Sequence, residues 1–198
     1  KDFKLSDVLY GLNMQMLLYL DTVWKNGKSR YGSVLPAGIL YVPAARPSVS
    51  AQWGDSGEKL EKERDKKLRM NGLVLDDPEV ITGMEKQAQG VFIPVALKNG
   101  EPAKLDSVAN LAQLGALTKK MEKLVVDMAC SLRQGDVDAE PAAGEYDACA
   151  YCPYGPVCGH EPEGRSRLGE KLDRNQVMAA VQEEAQEKEE AYEQTKLD

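Results

Sequence analysis

The sequence has few histidines and aromatic residues and contains no long hydrophobic run. It has one histidine, and aromatic residues make up 6% of its 198 positions. No segment is long and apolar enough to span a membrane, and the N-terminus lacks the pattern of a secretory signal. We therefore expect a cytoplasmic protein with no membrane association.

Negative charge exceeds positive charge. The chain has 32 acidic and 25 basic residues, which gives a formal net charge of −7. This balance argues against a freestanding protein that coats nucleic acid, although it is compatible with a local basic channel. Hydrophobic residues make up 42% of the sequence, enough for a core, and the length suits one domain with or without an extension.

Cysteines are few, and three of the four are clustered. Cys149, Cys152 and Cys158 lie in the stretch "CAYCPYGPVCGH" with the spacing C-x2-C-x5-C, among prolines and glycines that bend the chain. Four cysteines are too few for a disulfide scaffold in a chain of this length. In a reducing compartment, the cluster therefore predicts a metal site.

Three interpretations of the cluster compete. A zinc site would recruit His160 or Cys130 as its fourth ligand, and spacing alone favours zinc. An iron–sulfur cluster would take its fourth cysteine from elsewhere. The third interpretation is reduced cysteines in an ordinary loop. His160 follows Cys158 too closely for a normal zinc finger, and we expect Cys130 to be a small buried hydrophobe.

The most apolar segment predicts one buried helix over residues 6–24. Gln15 and Tyr19 lie one turn apart on its apolar stripe. A primary amide on such a face needs hydrogen-bond partners. Gln15 either bonds to neighbouring backbone or lies at the edge of the stripe, or it presents its amide to a phosphate, a water or a metal ligand.

The rest of the chain predicts short strands alternating with helices. The predicted elements are a core strand within residues 36–44, an exposed charged helix over 55–70, an extended piece at 71–75, a helix at 77–87, a hairpin around Asn99–Gly100 and a long helix over about 106–132. Residues 165–198 are mostly helical in composition and become acidic toward the end, so they can fray or need a partner.

Five segments together resemble a known family. In order, "KDFKLSDVLYGLNMQMLLYLD", "PAGILYVP", "RMNGLVLDDPEV", "IPVALKNGEPAK" and "ACAYCPYGPVCG" look like the C-terminal part of the AddB family, the nuclease-bearing subunits of bacterial AddAB helicase–nucleases. The resemblance runs from residue 1 to about Leu172. It implies an α/β fold, the C-terminal portion of a RecB-like PD-(D/E)xK nuclease, helix-rich with a short mixed sheet. The implied domains are a nuclease part (1–145), an iron–sulfur cysteine loop (146–163) and a helical acidic tail (164–198).

The resemblance also assigns roles to the two informative motifs. Gln15 and Tyr19 match the family's QxxxY motif, which lies beside the active site and helps to bind DNA or the catalytic water. Cys149, Cys152 and Cys158 match three of the four ligands of a [4Fe–4S] cluster whose fourth cysteine lies far upstream. In this family His160 and Cys130 are not ligands, so the resemblance favours iron–sulfur over zinc.

The main catalytic residues of such a nuclease are missing from the expected register. The chemistry needs two carboxylates and a lysine around Mg²⁺ or Mn²⁺. Asp2–Lys4 imitates the family's Asp-Tyr-Lys triplet, but the family register already lies past it, and Asp65–Lys67 falls in the charged helix without a strand. We therefore expect that the chain begins just past the catalytic strand and does not cut DNA alone.

The family's function is DNA end processing in double-strand-break repair and recombination, with an ATP-dependent AddA-type helicase–nuclease subunit and DNA as partners. The alternatives are a small zinc-stabilised binding module and, less favoured, a ferredoxin-type redox carrier. Basic residues that flank the Gln15 helix are candidate DNA contacts or ordinary solvated charges: Lys1, Lys4, Lys25, Lys28 and Arg30. The charged helix over residues 55–70 is a candidate surface for the helicase subunit.

Overall fold

The structure is a computed structural model that describes residues 3–44, 47–161 and 164–184. The chain divides into two compact units. The first consists of Lys1–Lys4 and Gln15–Thr118, and the second of Leu5–Met14 and Lys119–Asp198. The backbone therefore passes from one unit to the other three times, after Lys4, after Met14 and after Thr118.

The described residues form short strands among helices of four to 24 residues. In chain order, the elements are α1 (Leu5–Leu9), α2 (Gln15–Asn26), α3 (Lys28–Tyr31), β1 (Gly38–Tyr41), α4 (Gly57–Leu68), β2 (Asn71–Leu75), α5 (Pro78–Met84), β3 (Leu97–Lys98), β4 (Glu101–Pro102), β5 (Val108–Ala109), α6 (Leu111–Gln134), β6 (Ala142–Gly144), α7 (Gly155–Cys158), β7 (Arg167–Gly169) and α8 (174–184).

The central sheet of the first unit is mixed and has the strand order β1-β2-β5. β1 runs antiparallel to β2, with Gly38 opposite Val74, and β2 runs parallel to β5. The two backbones approach closely: a Cβ on Gly72 would lie 2.1 Å from the carbonyl oxygen of Ile39. This α/β architecture, helix-rich with a short mixed sheet, confirms the predicted fold class.

Each unit has its own buried apolar residues. In the first unit, Val74, Ile81, Val95 and Val108 form the centre of a cluster against the sheet. In the second unit, α8 buries Val177, Met178 and Val181. Residues 185–198, the remainder of the predicted tail, lie outside the described residues.

The prediction of one helix over residues 6–24 is wrong. The chain forms α1 and α2, separated by a turn in which Gly11 has φ of 74° and Asn13 has φ of 53°. Both values lie in the left-handed region, which a right-handed helix cannot include and which glycine and asparagine adopt most readily. The break makes Gln15 the first residue of α2.

The prediction for the long helix needs two corrections. α6 begins at Leu111 because Val108–Ala109 pair with β2 as a strand. Its C-terminal half is exposed, with Leu132 at 73% exposure, so Cys130 is an exposed residue and not a buried hydrophobe. The predicted glycine signal at the end of α6 is confirmed, since Gly135 adopts φ of 78°.

Most of the other local predictions are confirmed. β1, β2, α5 and the β3–β4 hairpin at Asn99–Gly100 occur where the sequence placed them. α4 is exposed and has ion pairs such as Lys62–Glu58 along its surface. Its N-cap is Ser56 rather than the predicted Asp55, because Ser56 Oγ accepts the N–H of Lys59.

Candidate functional site

Gln15 and Tyr19 lie side by side on the solvent face of α2. Gln15 Nε2 donates a hydrogen bond of 2.8 Å to Tyr19 Oη. The i, i+4 spacing brings the two side chains together on one face of the helix. Gln15 is exposed and Tyr19 is 53% exposed, whereas the sequence predicted an apolar, buried stripe. The buried face of α2 contains Leu17 and Asp21 instead.

The pair offers neutral hydrogen-bonding groups to solvent. The amide of Gln15 keeps an acceptor oxygen and a second N–H, and the hydroxyl of Tyr19 keeps a hydrogen to donate. Such groups suit a phosphate oxygen or a water molecule, which accept or donate without needing a countercharge. The geometry therefore fits a binding or orienting role and supplies no general acid or base.

The basic residues around α2 differ in their surroundings. Lys25 Nζ lies 3.2 Å from Asp21 Oδ1, and the guanidinium of Arg30 lies 5.3 Å from the ring centroid of Tyr31. Lys4 and Lys28 are exposed, and Lys1 lies outside the described residues. Because Asp21 balances its charge, Lys25 is a weaker candidate for a phosphate contact than the sequence indicated.

The cysteine loop is a series of tight turns that presents its thiols to solvent. The N–H of Cys152 bonds to the carbonyl of Cys149 at 3.2 Å, and the N–H of Ala150 bonds to Asp147 Oδ1 at 2.9 Å. Cys158 ends α7, and Gly159 follows it with φ of 68°. Cys149, Cys152 and Cys158 are all exposed and free of disulfides.

The thiols suit an iron–sulfur cluster or zinc in their chemistry, but they are not gathered into a complete site. Thiolate sulfur is the ligand that both groups prefer. Across the described ranges, no group of three or more His, Cys, Asp or Glu side chains is placed to hold a metal ion. This holds for His160, which is half-buried, and for Cys130 on α6. The donor set therefore fits three ligand positions of a cluster and lacks a fourth.

The same search bears on the catalytic carboxylates. Asp65 and Lys67 lie on the exposed helix α4, where the sequence placed them, and Asp2 is outside the described residues. No cluster of acidic side chains that could hold Mg²⁺ occurs in residues 3–44, 47–161 and 164–184.

A buried polar pair lies next to the cysteine loop in the second unit. Tyr146 Oη donates to Asp7 Oδ1 at 2.5 Å, and Asn13 Nδ2 also donates to Asp7. Burial raises the pKa of Tyr146 to about 12, and its hydrogen bond to Asp7 adds to the shift. Asp7 is 4% exposed. Sequence reasoning missed this pair because 139 positions separate the two residues.

None of the helices in the described part of the chain has the length and hydrophobicity to cross a membrane.

Comparison with known proteins identifies the family. The model of the PD-(D/E)XK nuclease superfamily matches residues 1–159. The ATP-dependent helicase/deoxyribonuclease of Thermoanaerobacter sp. (strain X514) has a B subunit that is 38% identical over 165 residues, which is 81% of this chain. The corresponding B subunits of Acetivibrio thermocellus and Ruminiclostridium cellulolyticum are 37% and 36% identical over 80% of it. The chain spans 14% of the length of each relative. Since the superfamily model covers most of its length, the chain belongs to the PD-(D/E)XK nuclease superfamily.

Proposed function

We propose that this chain is the C-terminal part of the nuclease domain of a DNA end-processing helicase–nuclease subunit that acts in double-strand-break repair and recombination. The observation that carries the proposal is the exposed Gln15–Tyr19 pair at the start of α2, in a chain of the PD-(D/E)XK superfamily. The relatives are B subunits of ATP-dependent helicase/deoxyribonucleases. The proposal assigns to this chain a part of that activity.

In this proposal, Gln15 binds a phosphate oxygen of the DNA or orients the attacking water. Tyr19 holds the Gln15 amide in place through the 2.8 Å hydrogen bond. The contribution is positional, because a well-placed neutral donor lowers the entropy lost when strand and water align. Tyr19 is therefore a positioning residue, and its hydroxyl matters more than its ring.

Membership in the superfamily implies the use of a divalent metal, and we propose Mg²⁺ or Mn²⁺. When bound, the metal activates water and stabilises the charge that develops on the phosphate. The carboxylates and the lysine that accompany it would come from outside the described residues. The isolated chain is then expected to bind DNA without cleaving it.

We further propose that Cys149, Cys152 and Cys158 hold three corners of a [4Fe–4S] cluster, with a fourth cysteine supplied by the longer protein. The spacing, the turn-rich backbone and the free, exposed thiols support this role. Bound there, the cluster would act as a cross-link between distant parts of the nuclease domain. The residues on either side of the loop would serve only to orient the sulfurs.

The proposed partners are DNA and an AddA-type helicase–nuclease subunit, which would supply ATP-driven unwinding. The exposed, charged surface of α4 is the candidate contact for that subunit. We propose a cytoplasmic location, because the reducing conditions there keep cysteine thiols available for the cluster.

A chimera tests the nuclease role. Residues 1–165 of this chain would replace the matching segment of the Thermoanaerobacter relative, which then supplies the remaining part of the protein. We expect metal-dependent cleavage of linear DNA, reduced at least tenfold by Gln15→Ala. The matched control is Gln87→Ala, another exposed glutamine, which should leave cleavage unchanged. A folded chimera whose cleavage does not depend on Gln15 would refute the role of this residue.

Anaerobic reconstitution of this chain tests the cluster. Iron, sulfide and a small thiol as the fourth ligand would be added, followed by analysis of iron, acid-labile sulfide and the visible spectrum. We expect Cys152→Ser to abolish assembly and Cys130→Ser, an exposed cysteine outside the loop, to have no effect. Stoichiometric zinc without sulfide, lost on His160→Ala, would instead favour the zinc-stabilised module.

A further inference from the structure

A cleft in the first unit carries positive charge in an otherwise acidic chain. It has a volume of about 750 Å³ and opens where β1 ends and β2 begins. Residues 41–44 form one wall, the C-terminal end of α4 and the residues after it form another, and residues 104–107 complete the lining.

Four cations line the cleft, against one carboxylate. The cations are Lys66, Lys67, Arg69 and Lys104, and the carboxylate is Asp106. Lys66 pairs with Glu63 at 2.6 Å. No carboxylate of the described residues lies within ion-pair distance of the other three cations. The chain as a whole has a net charge of −7, so this concentration of positive charge is local.

Backbone contacts hold two of these cations at the cleft. Lys67 Nζ donates to the carbonyl of Ser48 at 2.6 Å, and Arg69 Nε donates to the carbonyl of Ile93 at 3.1 Å. A carbonyl orients a cation without cancelling its charge, and both groups keep further N–H donors. The cleft therefore presents oriented, uncompensated positive charge to an anion.

The lining also contains apolar surface. Tyr41, Met70 and Pro94 are half-buried residues of the cleft, and the ring of Tyr41 is stacked on Phe3 with centroids 5.9 Å apart. Cations spread along a groove beside an aromatic ring are the features with which proteins bind single strands: the cations contact phosphates and the ring stacks on a base.

We propose that this cleft binds one strand of DNA, with its phosphates against Lys67, Arg69 and Lys104 and a base against Tyr41. The inference rests on the proposed function, since it names the path of the strand that such a nuclease would process. It concerns residues other than Gln15 and Tyr19, so the two proposals can be tested separately.

The experiment measures binding of fluorescein-labelled oligo(dT) to the whole chain by anisotropy over a range of salt concentrations. In the cleft variant, Lys67, Arg69 and Lys104 are each changed to Glu. In the control variant, Lys62, Lys86 and Lys98, which are exposed in the same unit, are each changed to Glu, giving the same change in net charge. A milder cleft variant with Gln at the same three positions guards against misfolding, which circular dichroism would detect.

We expect the cleft variant to bind at least tenfold more weakly and the control to bind within about twofold of the unchanged chain. The slope of log K against log salt concentration should fall by about 2 in the cleft variant, at roughly 0.7 per phosphate contact. Equal weakening in both variants, or no binding by the unchanged chain, would overturn the proposal.

A strand of equal length without bases tests the contact with Tyr41. Loss of one stacked base should weaken binding about tenfold, and Tyr41→Leu should remove the difference between the two strands. If the strand without bases binds as tightly as oligo(dT), the contact between base and Tyr41 is refuted. If oligo(dT) binding needs the cleft while cleavage by the chimera is independent of Gln15, the present inference stands and the role of Gln15 fails.

Discussion

Tyr146 donates its hydroxyl hydrogen to the buried carboxylate of Asp7, 139 residues earlier in the chain. Tyr146 lies three residues before Cys149, and its ring meets the edge of Tyr10 with centroids 6.0 Å apart. The pair therefore ties the base of the cysteine loop to α1 within the second unit.

Changing Tyr146→Phe should destabilise the second unit by about 1–3 kcal/mol, because Asp7 then loses a donor while it stays buried. Urea unfolding would measure the loss. Tyr151→Phe is the control, since Tyr151 is 96% exposed and should tolerate the change. An unchanged free energy of unfolding for Tyr146→Phe would show that the hydrogen bond contributes nothing.

The same pair predicts an alkaline transition. The folded pKa of Tyr146 is raised from 10.0 to about 12, so its contribution to stability is complete below pH 10 and is lost as the pH rises through 12. In an absorbance titration of tyrosinate, Tyr146→Phe should remove the step near pH 12. The titration of the exposed tyrosines should stay as it is.

Glu85 should stabilise the first unit through its charged form. Its carboxylate accepts the backbone N–H groups of Val91, Phe92 and Ile93 at 3.1, 3.0 and 3.2 Å. Burial by itself raises the pKa of Glu85, but these hydrogen bonds together outweigh it and hold the pKa below its ordinary value. Glu85→Gln should cost about 1–3 kcal/mol at neutral pH, because the amide offers one acceptor oxygen in place of two.

The acid limb of the stability curve tests this explanation of Glu85. A depressed folded pKa stabilises the protein above the unfolded pKa, and this stability is lost as the pH falls through the folded value. Glu85→Gln should therefore flatten the loss of stability in acid. Glu79→Gln on α5 is the exposed control. The same acid dependence in both variants would contradict the explanation.

Gly72→Ala should destabilise the central sheet by more than about 1 kcal/mol. Gly72 has φ of 148°, and a Cβ there would meet the carbonyl of Ile39 at 2.1 Å, so β1 and β2 must separate. Gly83→Ala is the contrasting control, because Gly83 lies in α5 with open space around it and should gain about 0.5–1 kcal/mol. Thermal unfolding of both variants would measure the difference, and a neutral Gly72→Ala would show that the strands move apart freely.

Met178→Ala should show that α8 belongs to the second unit. Met178 is 3% exposed, and Lys120 Nζ reaches Glu184 at 2.6 Å from α6. A cavity at Met178 should cost about 2–5 kcal/mol in denaturant unfolding. Met84→Ala, at a methionine that is 38% exposed, should cost far less. Similar losses would mean that α8 contributes little to this core.

Sequence reasoning succeeded where the signal was local. Asn99–Gly100 predicted the hairpin, and Asp77 with Pro78 predicted the start of α5, because short-range turn and cap chemistry fixes both. It failed at Gly11 and Asn13, since hydrophobic periodicity continues across a break that only the backbone angles reveal.

The site was predictable only in part. The spacing of Gln15 and Tyr19 placed both on one helix face, but the sequence could not show that this face is exposed. The cations of the cleft come from α4, the residues after it and the loop before β5, and only folding brings them together. A strong charge pattern in α4 was visible, but its alternation of signs indicated ordinary solvation.

The interleaved composition of the two units has a consequence during synthesis on the ribosome. The second unit begins with Leu5–Met14 but is otherwise built from residues after Thr118. At about 5–20 residues per second, Asp7 emerges roughly 7–28 s before Tyr146 is made. During that interval residues 15–118 can collapse first, while α1 waits in water for the partners that bury it.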